Sequence, residues 1–179
     1  MAFTTLPAAG AKLRGATYQA HIGELRPIRA QLSSDFALTA SSAVLANVTG
    51  LVVPVVANTT YEGRLFLAAI LAAGTTEDLQ IAMTWPTGAD VDIFTGELIT
   101  SATTFNGDFE MVFRENYTSG SAICSAGLNA VLPTWTMLNF TIATGANAGN
   151  LQVQAAQNVS GGNVVTVQSG SYLRLQQEL

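Results

Sequence analysis

From Asp35 onward, apolar and polar positions alternate with period two, which predicts β-strands and not amphipathic helices. Residues 61–72 form a long candidate strand. Tyr61, Leu65, Leu67, Ala69 and Leu71 fall on one side, and Glu62, Arg64, Phe66 and Ile70 on the other. Both sides are apolar in its second half, which suits a central strand covered on each face. Alanine and leucine would also serve a helix, but Thr59, Thr60, Tyr61 and Gly63 open one poorly. Leu79, Ile81 and Met83 alternate with Gln80, Ala82 and Thr84. Val91 and Ile93 alternate with Asp90 and Asp92. Leu138, Phe140 and Ile142 make a better core face than Trp135, Met137, Asn139 and Thr141. Leu151, Val153 and Ala155 oppose Gln152, Gln154 and Ala156, while Leu173 and Leu175 point inward from Tyr172, Arg174 and Gln176.

Further strands are expected over residues 51–57, 108–113, 120–127 and 164–167. Pro54 marks an edge strand or a bulge, because proline cannot donate to a ladder. Turn residues separate these segments, and no strong helix intervenes. About eight to ten short strands with such spacing describe a sandwich or jelly roll, not a βαβ fold. The expected fold is therefore an all-β jelly-roll β-sandwich over residues 34–179, preceded by an extended N-terminal arm, residues 1–33. Gly15, Gly23 and Pro27 would limit any helix in the arm to about two turns.

Charge changes this picture. Only 11% of residues are charged, against roughly 25% in a typical domain. Either Ser, Thr, Asn, Gln and Gly supply the wet surface, or another subunit covers part of it. The net charge is -5, yet Lys12, Arg14, Arg26 and Arg29 lie in the arm, followed only by Arg64, Arg114 and Arg174. Cations so scattered offer no groove for a phosphate backbone, so no nucleic-acid partner is expected. The basic arm suits an acidic protein surface instead. Leu6, Pro7 and the alanines after them form no continuous apolar segment of an export signal. The most apolar run, residues 65–73, is too short to span a bilayer as a helix, so no membrane partner is expected either.

Candidate chemistry is sparse. His21 is the sole histidine, so a Ser-His-Asp triad would have to draw its base from the arm. Ser121 lacks the glycine spacing of a nucleophile elbow, and no phosphate-loop or zinc-protease motif occurs. Cys124 is alone, which excludes an intrachain disulfide or a cysteine zinc site and suits a small buried hydrophobe. Asp90 and Asp92 would stand roughly 6–7 Å apart on one strand face. That could serve glycoside hydrolysis or calcium, but no calcium-loop pattern accompanies them, and a solvated acidic face explains them better. Trp85 and Trp135 could stack on sugars, although aromatics at strand ends more often plug a sandwich core. The expectation is a non-enzymatic protein without metal or cofactor.

Uncharged amides suggest a contact instead. Gln152, Gln154 and Gln157, with Tyr172 and Gln176, can pack against a symmetry mate and hydrogen-bond across the interface. Four segments also carry a resemblance: Thr60-Tyr-Glu-Gly-Arg-Leu-Phe-Leu67, Trp85-Pro86, Gly149-Asn-Leu-Gln-Val-Gln-Ala-Ala-Gln157 and Thr166-Val-Gln-Ser-Gly-Ser-Tyr-Leu173. Together they resemble small structural proteins of tailed bacteriophages, whose bodies are similar to the trimeric tumour-necrosis-factor/C1q jelly roll. The likeness covers roughly residues 35–179. It implies a homotrimer in a virion, with Tyr172 and Arg174 near the three-fold axis or the sheet edge. It also implies that the arm pins the trimer to a major capsid protein or another virion protein. Phe3, Leu6, Leu13, Ile22, Leu25 and Ile28 would then be apolar anchors, and Lys12, Arg14, Arg26 and Arg29 polar ones. Rival expectations are a tail or baseplate fibre component that recognises a host surface, and a carbohydrate-binding module.

Overall fold

The computed structural model describes residues 27–39, 42–72, 78–99, 118–128, 133–157 and 162–178. Every regular element among them is a strand: β1 (Ile28–Gln31), β2 (Phe36–Ala37), β3 (Ala46–Val55), β4 (Thr60–Leu71), β5 (Asp78–Thr84), β6 (Asp90–Ile99), β7 (Ala122–Gly127), β8 (Thr134–Ala143), β9 (Gly149–Gln157), β10 (Val165–Val167) and β11 (Tyr172–Gln177). The expected strand over residues 108–113 lies outside the described residues, as do residues 1–26 with His21 and most of the arm.

All pairings are antiparallel, and they make two sheets. In the first, β10 and β11 lie end to end along the same flank of β4, and β1 and β2 lie end to end along theirs. The interruption has a local cause. Opposite Ala68, the buried Ser171 hydroxyl accepts from the Ala68 N–H at 3.1 Å and donates to Gln168 O at 2.7 Å. The Gln168 N–H donates to Ala68 O at 2.8 Å, so a short loop replaces one ladder step without orphaning the backbone. Treated as single interrupted strands, the pairs give the order β1/β2, β10/β11, β4, β8, β6. The second sheet runs β3-β9-β5-β7.

The chain changes sheet at every connection between these strands. That alternation, with the two sheets face to face over a shared core, is the jelly-roll β-sandwich. Leu65, Leu67, Leu71, Leu138, Phe140, Ile142, Leu173 and Leu175 from the first sheet meet Leu51, Val53, Leu79, Ile81, Met83, Leu151 and Val153 from the second. Each such side chain taken from water contributes about 1.5–3 kcal/mol. The expected inward faces of β4, β5, β8, β9 and β11 are the buried ones.

Two details fix the sandwich at its ends. Gly63 lies opposite Phe140, and a Cβ on it would stand 2.2 Å from the Phe140 ring, so the glycine makes room for that ring in the core. Asn58 takes the left-handed conformation (φ 52°) in the turn between β3 and β4, which asparagine tolerates better than most residues. Beside it, the buried Thr144 hydroxyl accepts from the Thr59 N–H at 2.8 Å and has Val56 O and Thr59 O within reach for its own proton.

The boundary expected after residue 33 falls inside the sheet. Ile28, Arg29, Ala30 and Gln31 pair with Leu175, Arg174, Leu173 and Tyr172, and Leu32 is buried in the core. Pro27 and the nearby basic residues suggest an arm, but the alternation of half-buried and exposed side chains over Ile28–Gln31 finds a partner strand. Among the described residues, the sandwich begins at β1.

Candidate interaction face

The outer face of the first sheet carries the side chains that the core leaves out. Its register arranges them in rows across the strands. One row runs through Gln31, Tyr172, Phe66 and Met137. Here Phe66 stacks on Tyr172 with ring centroids 5.5 Å apart and planes at 18°, and Trp135 from the neighbouring row lies 6.1 Å from Phe66. Trp135 is 46% exposed, so it stands on this face instead of plugging an end of the core. Trp85, by contrast, is half-buried and packs against the core. On its outer side Glu62 and Arg64 are exposed, Phe66 and Ile70 half-buried and Ala68 buried, so among the described residues β4 is covered less on that side than on its inner one.

The next row holds Arg29, Arg174 and Arg64, direct cross-strand neighbours on β1, β11 and β4, with Asn139 following on β8. All three arginines are exposed. The Arg29 guanidinium lies 4.6 Å from the Tyr172 ring centre. Arg64 Nε donates to Asn139 Oδ1 at 2.9 Å. A shallow hollow of about 370 Å³ opens beside this row, lined by Arg64, Arg174, Asn139, Glu62, Thr141 and Gln176, together with Gly63 and Phe140. Beyond it Gln176, Glu62, Thr141 and Asp92 share a row, and Asp90 stands one row further. No cluster of three His, Cys, Asp or Glu side chains suited to a metal occurs among the described residues.

The amides expected to form a contact face divide differently. Tyr172, Arg174 and Gln176 lie on the face just described, whereas Gln152 and Gln154 lie on the outer face of the other sheet. Gln152 is used within the chain: its Nε2 reaches Val48 O at 3.1 Å, Leu51 O at 3.2 Å and Val153 O at 2.7 Å. These acceptors surround the bulge where the β3 register shifts between Asn47 and Val52, so the amide closes that bulge. Gln154 Nε2 donates to Asn47 Oδ1 at 2.9 Å. Gln157 does not share their face. It has the parity of Leu151, Val153 and Ala155, is fully buried, and donates through Nε2 to Asn163 O. Period two separates position 157 from positions 152 and 154, so the three amides do not form the one face expected of them.

Of the expected anchors, Phe3, Leu6, Lys12, Leu13, Arg14, Ile22, Leu25 and Arg26 lie outside the described residues. Ile28 packs against the core from β1, and Arg29 belongs to the arginine row. Sequence reasoning found the aromatic and basic residues singly and missed the row. The signal for it is the pairing register, which brings together arginines from three distant segments.

No protein-family model matches the chain, and no curated protein matches it in sequence. Among solved structures, that of the infectious bursal disease virus Gt strain is similar at 14% identity and a TM-score of 0.24, over 86% of this chain and 41% of that one. The VP2 subviral particle of the same virus is similar at 13% and 0.21, over 86% and 42% of the two chains. The Gx strain is similar at 14% and 0.22, over 86% and 40%. The chain spans about two fifths of the length of these structures.

Proposed function

We propose that this chain is a non-enzymatic structural protein of a virion, a homotrimer that decorates or cements a capsid. In this reading, the outer face of the first sheet is the self-contact and the segment before β1 grips a capsid protein. The observation that carries it is the half-exposed aromatic cluster of Phe66, Tyr172 and Trp135 in a chain whose residues are only 11% charged. Aromatic and arginine side chains are the types enriched where protein interfaces bury their centres. The resemblance to bacteriophage structural proteins supports the virion setting, and the basic residues ahead of β1 support attachment to an acidic lattice. Three arms held on one trimer would leave together, which multiplies weak attachment.

Two measurements test the reading. Sedimentation of the purified protein should give trimers, and a concentration-independent monomer would sink it. Deleting residues 1–26, which spares β1, should leave trimers that no longer bind particles. Undiminished binding of that variant would remove the arm from the mechanism.

A further inference from the structure

The hollow on the outer face of the first sheet is chemically two-sided. Arg64 and Arg174 are direct cross-strand neighbours on β4 and β11, and both line it. Neighbouring strands lie about 4.8 Å apart, and like charges directly opposite one another repel. Neither arginine has a carboxylate partner among the described residues. Arg64 uses only its Nε, on Asn139 Oδ1, and Arg174 makes no hydrogen bond, ion pair or ring contact there. The terminal amino groups of both guanidinium forks therefore remain for a ligand. The other side of the hollow carries the Thr141 hydroxyl and the exposed Glu62, whose carboxylate has no hydrogen bond or ion pair among the described residues. The one large apolar lining residue, Phe140, is buried in the core, so an apolar ligand would gain little.

These groups select a ligand by its chemistry. Two cations to one carboxylate leave an excess of positive charge, so the ligand carries an anionic group. A bare sulfate or phosphate would satisfy the arginines but set like charge against Glu62 and give that carboxylate nothing to accept. A ligand with hydroxyl groups beside its anionic group answers both sides. Its carboxylate takes charge-assisted hydrogen bonds from the arginines, and its hydroxyls donate to Glu62. At about 370 Å³ the hollow is at the small end of ligand sites, with room for a single sugar ring. We infer that it binds an acidic saccharide, a sugar that carries a carboxylate on the ring. The inference goes beyond the function proposed above and does not depend on it. The self-contact is assigned to Phe66, Tyr172 and Trp135, and the hollow lies on the other side of the arginine row from them. Three such hollows on one trimer would hold a polyvalent glycan together, which multiplies a weak single contact.

Titration of the full chain with methyl glucuronide, methyl glucoside and sodium sulfate at constant ionic strength, followed by nuclear magnetic resonance, tests the site. The glucuronide should bind about tenfold or more tightly than either of the others, because only it engages both sides of the hollow. Arg174→Gln and Arg64→Gln should each weaken it by about tenfold, with circular dichroism reporting an unchanged fold. Glu62→Gln separates the saccharide from a bare oxyanion: the preference for glucuronide over sulfate should fall severalfold. No binding of the glucuronide overturns the site, as does equal binding of the glucoside or the sulfate. Undiminished binding by both folded arginine variants, or an unchanged preference in Glu62→Gln, overturns it too. Sedimentation with saturating glucuronide should leave the oligomer intact, and dissociation would overturn the placement of the hollow outside the self-contact. A monomeric parent that binds glucuronide sinks the trimer alone, and a trimeric parent that ignores it sinks this site alone.

Discussion

The two outer faces of this sandwich use their polar groups in opposite directions. On the second sheet, amides turn back onto their own chain: Gln152 closes the β3 bulge, and Gln154 holds Asn47. On the first sheet, exposed arginines and half-exposed aromatic rings lie in rows with few partners inside the protomer. A face that satisfies itself stabilises the fold and has little left to offer. A face that does not is available to another surface. The difference teaches that an uncharged polar strand is weak evidence for a contact until its hydrogen bonds have been traced.

Substitutions can break that distinction. The largest expected effect is on association. Replacing Phe66 and Trp135 together by serine should raise the dissociation constant by on the order of a hundredfold, as losing central aromatic anchors does at other interfaces. Val52→Ser on the second sheet should leave it unchanged, and equal loss from both variants would erase the contrast. Next in size is Gln152→Leu, which strips the amide from three carbonyls. It should cost about 1–3 kcal/mol in denaturant unfolding without altering association. Loss of association with full stability would return Gln152 to the contact. Arg29→Ala removes the cation from the Tyr172 ring and should cost about 0.5–1 kcal/mol of monomer stability. Smallest is Gln154→Ala on an exposed bond, expected within about 0.5 kcal/mol in the same unfolding assay. A larger loss there would show that the amide face is more tightly knit than its one bond to Asn47 suggests.

Much of the fold was legible in the chain because side-chain direction along a strand follows from counting. Leu65 and Leu67, Leu138 and Phe140, Leu151 and Val153, and Leu173 and Leu175 all point where period two puts them. The same count separates Gln157 from Gln152, and places Trp135 opposite Leu138 on the outer side. The size of Trp135 would suit a plug at the end of the core, but parity sets its direction. What counting cannot supply is which strand lies beside which. Arg29, Arg64 and Arg174 look scattered in sequence and become a row only through the pairings of β1, β11 and β4. Likewise, residues 28–31 read as part of an arm until β11 is beside them, because a short strand acquires meaning from its partner.

The place of β11, between β1 and β4, has a consequence for how the protein is made. Among the described strands, the first to leave the ribosome waits for the last before it can join its sheet. Until residues 172–177 emerge, residues 61–66 of β4 carry unpaired N–H and C=O groups on one flank. Closure is therefore a late, long-range event of the slow kind, and nascent chains stalled short of it would be prone to stick to one another.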